Sequence, residues 1–131
     1  MPPHKVILHI DDDDDDREIV KEGLEAIDDN ITVKEFSNGD AGLAYLKESS
    51  KTNELPCLVI LDINMPGMGG KEVLNEIKKD PALAQVPVVL FTTSSSDLDK
   101  DFAESKGVQM ITKPPRLNEV MEVIGRLLKK C

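Results

Sequence analysis

Five short apolar runs alternate with five helix-like segments, and this alternation limits the fold more than any single residue does. The runs are 5–10 (KVILHI), 31–36 (ITVKEF), 57–61 (CLVIL), 86–91 (VPVVLF) and 108–112 (VQMIT), short and rich in β-branched residues as strands are. Between them, Ile19, Gly23 and Ile27 share a helical face with Val20 and Leu24 beside it. Ala41, Ala44 and Tyr45 mark a second helix, and Val73, Leu74 and Ile77 a third. Leu98, Phe102 and Ala103 mark a fourth, and Leu117, Val120, Ile124, Leu127 and Leu128 stripe a fifth. SNGD (37–40), MPGMGG (65–70) and KDPALAQVP (79–87) supply turns. CLVIL (57–61) and VVLF (88–91) are continuously apolar, as in strands covered on both faces. The run at 31–36 carries Lys34 and Glu35, which suits an edge. The pattern predicts an α/β fold, a (βα)5 doubly wound parallel five-stranded sheet of order 2-1-3-4-5.

At 131 residues the chain reads as one domain, with a core over about 5–130 and no second module. One Tyr, three Phe and no Trp make the core aliphatic. A net charge of −9 argues against nucleic acid as a direct partner, since phosphate contacts rely on Lys and Arg. No apolar stretch approaches the ~18 residues needed to span a bilayer, so no membrane partner is expected. Cys57 and Cys131 have no metal-ligand spacing, and a disulfide is not expected between them. Cys57 reads as a small packed hydrophobe. A reducing, cytoplasmic location follows from that reading.

Six consecutive aspartates, Asp11 to Asp16, sit between the first apolar run and the first helical segment. Such a run is usually a solvated tail, yet here it joins two core-forming elements. In the predicted sheet, all residues that follow strands lie along one edge. Asp11 and Asp12 follow the first strand, Asp62 the third, Thr92 the fourth and Lys113 the fifth. Two ionised carboxylates ~4 Å apart repel by ~4 kcal/mol at an effective dielectric near 20, so this cluster must shift its pKa values or recruit a cation. An all-oxygen donor set favours a hard cation, and Mg2+ suits an open site shared with phosphate. Lys113 adds a point charge for an anion and Thr92 a hydrogen bond. A cation site, an ammonium, a hydroxyl and a nucleophilic carboxylate together describe phosphoryl transfer onto an aspartate.

HIDDD, LDINMP, LFTTS and ITKPP, in this order and spacing, resemble the receiver domains of two-component response regulators over essentially the whole chain. The resemblance implies a flavodoxin-like, single-domain regulator similar to chemotaxis receivers. Asp62 would then accept a phosphoryl group from a histidine kinase or histidine phosphotransfer protein. Asp12 would ligate Mg2+ directly, Asp11 mainly through water, and Asn64 through its main-chain carbonyl. The Asn64 side chain and Ser94 would tune phosphate lifetime, while Thr92 and Lys113 hold phosphoryl oxygens. The Lys113–Pro114 bond is expected to be cis. The chemistry implied is phosphoryl acceptance and slow self-dephosphorylation, without turnover of an outside substrate. Helix 4, strand 5 and helix 5 would form the face read by a downstream protein, and a homodimer through that face is left open. Met110 stands where the family usually has an aromatic switch residue, and Gly69 where many relatives cap the third helix with Asp.

Within the acidic run, Asp13 is expected to line the metal site's mouth and Asp14 to Asp16 to start the first helix, with Asp15 and Glu18 as a capping pair. Asp11, Asp13, Asp15 and Glu22 also fall at EF-hand spacing. Asp16 stands where that loop needs Gly, and a strand-like run precedes it, which argues against calcium sensing. An aspartate-nucleophile phosphatase is disfavoured by Asn64, where a second acid is needed. A phosphate-independent binding module is the remaining alternative. His9 reads as a strand residue rather than a phospho-donor.

Overall fold

The computed structural model describes residues 4–131. Five parallel strands, β1 (Lys5–Ile10), β2 (Ile31–Phe36), β3 (Leu58–Leu61), β4 (Val88–Thr92) and β5 (Gln109–Thr112), form one sheet in the order β2-β1-β3-β4-β5. Helices α1 (Asp14–Ile27), α2 (Gly39–Lys51), α3 (Gly70–Lys79), α4 (Asp97–Ser105) and α5 (Leu117–Leu128) follow them in turn. The topology is the flavodoxin-like one expected. The first two strands keep the expected bounds, whereas β3 and β5 start one residue later and β4 starts two residues later and runs on to Thr92.

Side-chain alternation along β1 divides the core. Leu8 and Ile10 pack with Leu43, Leu46, Val73, Leu74 and Ile77 under α2 and α3. Ile7 packs on the other face with Val20, Leu24, Val123, Ile124 and Leu127 of α1 and α5. Each fully buried aliphatic chain contributes roughly 1.5–3 kcal/mol of transfer free energy. The apolar faces differ in detail from the periodicity reading. In α2 the buried hydrophobic residues are Leu43 and Leu46, while Ala44 is exposed. Ile27, Leu98 and Leu117 were expected in helical stripes but are 51%, 79% and 61% exposed. Each lies at the first or last turn of its helix, beyond the reach of the sheet it would cover.

The two cysteines correct another expectation. Cys57 and Cys131 are joined by a disulfide, with Cα atoms 5.1 Å apart across 74 residues of sequence. The backbone N–H of Cys57 donates to Val6 (2.9 Å), which holds it beside the start of β1. Docking of α5 returns Cys131 to the same place, a proximity that spacing along the chain does not carry. The Lys113–Pro114 bond is trans, as are all peptide bonds among the described residues. Trans is the lower-energy isomer before proline by about 0.5–1 kcal/mol, and Lys113 reaches the sheet edge without the cis form.

Candidate phosphoacceptor site

Backbone hydrogen bonds align the strand ends that carry the polar groups. The N–H of Asp11 donates to Phe36 (3.0 Å), that of Asp62 to Ile10 (3.0 Å), and that of Lys113 to Thr92 (2.7 Å). Asp11, Asp62 and Thr92 are buried, whereas Asp12 is exposed at the rim. One carboxylate oxygen from each of Asp11, Asp12 and Asp62 lies within 4.8 Å of the others. The expected convergence is therefore present.

The loop after Asp62 presses against it because Gly70 has no side chain. A Cβ at Gly70 would lie 2.0 Å from the Asp62 carbonyl oxygen, far inside van der Waals contact. The Gly70 N–H instead donates to Ile63 (2.9 Å), closing the loop onto the start of α3. Gly67 turns this loop at φ 76°, a backbone conformation that glycine reaches without steric cost. Gly69 occupies the N-cap of α3 with no side-chain hydrogen bond, as its position predicted.

Lys113 is the electrostatic centre. Its Nζ donates to Asp11 Oδ2 (2.7 Å), Asp16 Oδ2 (2.7 Å) and Asp62 Oδ2 (3.3 Å). The Phe91 ring lies 5.8 Å from Nζ. Burial alone would lower the lysine's pKa, but hydrogen bonds to Asp11 and Asp16 and the nearby carboxylate charges raise it. Asp11 is likewise pulled two ways. Burial pushes its pKa up, and this is outweighed by His9, Lys113 and the Asp13 N–H, which bring it down to about 2. Asp62 moves oppositely: burial and the Asp11 charge raise its pKa, with Lys113 and the Thr92 hydroxyl opposing them.

Three carboxylates (Asp11, Asp16 and Asp62) share the Lys113 ammonium and a fourth, Asp12, clusters with Asp11 and Asp62, so the site keeps excess negative charge. Asp62 Oδ1 is buried without a hydrogen-bond partner. An orphaned carboxylate oxygen inside an all-oxygen cluster fits a hard divalent cation.

Several readings of the acidic run shift. Asp13, expected at the mouth, instead caps α1 by accepting from the Asp16 N–H (3.0 Å), which replaces the Asp15–Glu18 pair. Asp14, Asp15 and Asp16 form the first helical turn, as expected. Asp16 was assigned only to the helix start. A capping frame begun at Asp13 rather than Asp15 is the signal that would have turned Asp16 toward the sheet edge. Arg17 also joins the site, donating to the Asp11 carbonyl (2.7 Å) and pairing with Asp14.

His9 is fully buried beneath Asp11 with both ring nitrogens lacking hydrogen-bond partners. Its Nε2 lies 3.6 Å from Asp11 Oδ2, outside hydrogen-bond reach. The Ser94 N–H donates to the Thr92 hydroxyl (3.2 Å), while the Ser94 hydroxyl turns away to Asp99 on α4. Asp99 also pairs with Lys71 at the start of α3 (2.7 Å). Met110 pairs with Leu90 across the β4–β5 ladder and packs half-buried on the α2–α3 side of the sheet. Asn64 is exposed on the loop after Asp62.

Residues 7–125 match the family described as Response regulator receiver domain. Response regulator Rcp1 of Synechocystis sp. is 38% identical over 101 residues, covering 74% of this chain and 67% of its own length. Among solved structures, the phosphorylated cyanobacterial phytochrome response regulator RcpA superimposes with a TM-score of 0.85 at 31% identity, covering 92% of this chain and 89% of that one. The Mn2+-bound form of Rcp1 gives a TM-score of 0.82 at 32% identity, covering 92% and 88%.

Proposed function

The chain belongs to the response regulator receiver domain family of two-component signal transduction, and from that premise we propose that Asp62 accepts a phosphoryl group from a histidine kinase or histidine phosphotransfer protein. The observation that carries this reading is the buried Asp62 carboxylate with Lys113 Nζ 3.3 Å away. A carboxylate oxygen attacks phosphorus as the P–N bond to the donor imidazole breaks, leaving an aspartyl phosphate. Lys113 donates to the phosphoryl oxygens, and the Thr92 hydroxyl donates a second hydrogen bond once it turns toward them.

Mg2+ would be held by Asp11, Asp12, Asp62 and the main-chain carbonyl of Asn64, and would neutralise charge developing on the transferred group. The all-oxygen donors and the orphaned Asp62 Oδ1 support this assignment. The solved relative in its Mn2+-bound form supports it as well. Asn64 and Ser94, on the loops that follow Asp62 and Thr92, would set how long the phosphate lasts.

The output is a change in shape. Movement of Thr92 would draw on the β4–α4 loop, where Ser94 ties Thr92 to Asp99. A decisive shift between two states needs ~5 kcal/mol of differential stabilisation. Leu98 on α4 is 79% exposed and apolar, and supports a downstream protein contact on the α4, β5 and α5 face. Homodimerisation through that face is a further use of it.

Intact mass after incubation with acetyl phosphate tests the reading. The expected result is a Mg2+-dependent gain of one phosphoryl group in the wild type and none in Asp62→Asn. An equal gain in Asp62→Asn would place the acceptor elsewhere.

A further inference from the structure

We infer that Asp16 is a positioning residue that anchors Lys113 from outside the reacting and metal-binding groups, leaving one N–H aimed at the oxygen of Asp62 that receives phosphorus. The inference rests on the reading of Asp62 as phosphoacceptor and names a residue that reading does not use.

A lysine ammonium has three N–H donors and no acceptor. Here all three have carboxylate partners: Asp11 at 2.7 Å, Asp16 at 2.7 Å and Asp62 at 3.3 Å. The partners differ in their other duties. Asp62 carries the reacting oxygen, and Asp11 belongs to the cluster that would hold a cation. Asp16 has neither task, so its bond to Lys113 can persist while charge is redistributed around the other two.

The anchor is itself held rigidly. Asp16 lies in the first turn of α1, and its N–H donates to the capping Asp13 carboxylate (3.0 Å). Lysine's four-carbon stem is flexible, and a point charge on it catalyses only where it is held. Two short bonds on one side of Nζ fix that stem and leave the longest, to Asp62, as the one a phosphoryl oxygen would take over. The same contact accounts for the last aspartate of the run, which a helix N-terminus alone does not require.

Beryllofluoride, a mimic of the aspartyl phosphate, provides the probe, with affinity measured by calorimetry at saturating Mg2+. Asp16→Ala should weaken beryllofluoride binding by roughly tenfold, as expected for loss of a charge-assisted hydrogen bond. Asp16→Asn keeps an oxygen acceptor and should recover most of the affinity. In a Lys113→Ala background, Asp16→Ala should have no further effect, because the two residues act as one unit. Mg2+ binding without beryllofluoride should move far less than beryllofluoride binding does. Unchanged or tighter beryllofluoride binding by Asp16→Ala would overturn the inference, the latter marking Asp16 as a competitor for the lysine. So would an equal loss in both backgrounds, since that is a purely structural effect. A wild type that binds Mg2+ but neither beryllofluoride nor a phosphoryl group would instead remove the phosphoacceptor reading, and the anchor with it.

Discussion

The two ends of the parallel sheet are built on opposite principles. At the carboxyl end, four carboxylates cluster, three of them sharing one lysine, and a buried aspartate oxygen and a buried histidine lack hydrogen-bond partners. At the amino end, the chain is closed by the Cys57–Cys131 disulfide and by the Lys5 ammonium donating to the Cys131 carbonyl (3.2 Å). One end holds charge in an arrangement that is useful because it is unresolved. The other holds the last helix to the sheet. On the proposed function, a domain that changes shape at one end benefits from a second end that does not.

Removing the lysine from the charged end should have the largest effect. Lys113→Ala leaves Asp11, Asp16 and Asp62 without their shared partner, and breaking such a buried pair typically costs about 4 kcal/mol. Urea unfolding should show this loss in chelator and a partial recovery in Mg2+. Recovery would identify excess negative charge, rather than lost packing, as the cause.

Opening the staple should cost roughly 3 kcal/mol, within the usual range for a native disulfide. Reduction, or Cys131→Ser, should lower the thermal midpoint by that equivalent while leaving Mg2+ affinity unchanged. A large change in Mg2+ affinity would show that the two ends are coupled, and the contrast between them would fail.

Titration sharpens the comparison further. The fold holds Asp11 at about 2 against an ordinary 3.8. Its contribution is therefore full above 3.8 and is lost as pH falls through about 2, amounting to about 2 kcal/mol. Asp62 has the opposite sign, because its folded pKa is raised. Its contribution is full below its ordinary pKa and disappears as pH rises through the folded one. Asp62→Asn should consequently be more stable than wild type at neutral pH, because the folded state disfavours the ionised carboxylate. That advantage should shrink as the medium is acidified, which denaturant melts across pH would record. A destabilised Asp62→Asn at neutral pH would contradict the charge balance described.

Much of this was legible in the residues. Apolar runs of strand length, alternating with helical segments, carry the sheet and its order, since a parallel strand needs a crossover and crossovers have one hand. The same alternation brought Asp11, Asp62, Thr92 and Lys113 together, because every parallel strand ends on one edge. The Asp16–Lys113 contact, the full burial of His9 and the cysteine pair were not legible. Asp16 depends on which aspartate caps α1, a choice among six identical residues that local chemistry does not resolve. The burial of His9 depends on what α1 and α5 lay over it.

Helix faces show the same limit. Periodicity located α2 but placed Ala44 inward and overlooked Leu43 and Leu46. It also put Leu98 and Leu117 in the core, where their helices' first turns do not reach the sheet. Local patterns by themselves determined which segments are strands and helices and which polar groups stand at strand ends, because both follow from near-neighbour geometry and topology. Tertiary structure alone decided which carboxylates share Lys113, which helical faces are covered and that Cys57 meets Cys131, because those contacts join residues whose separation in sequence bears no relation to their separation in space.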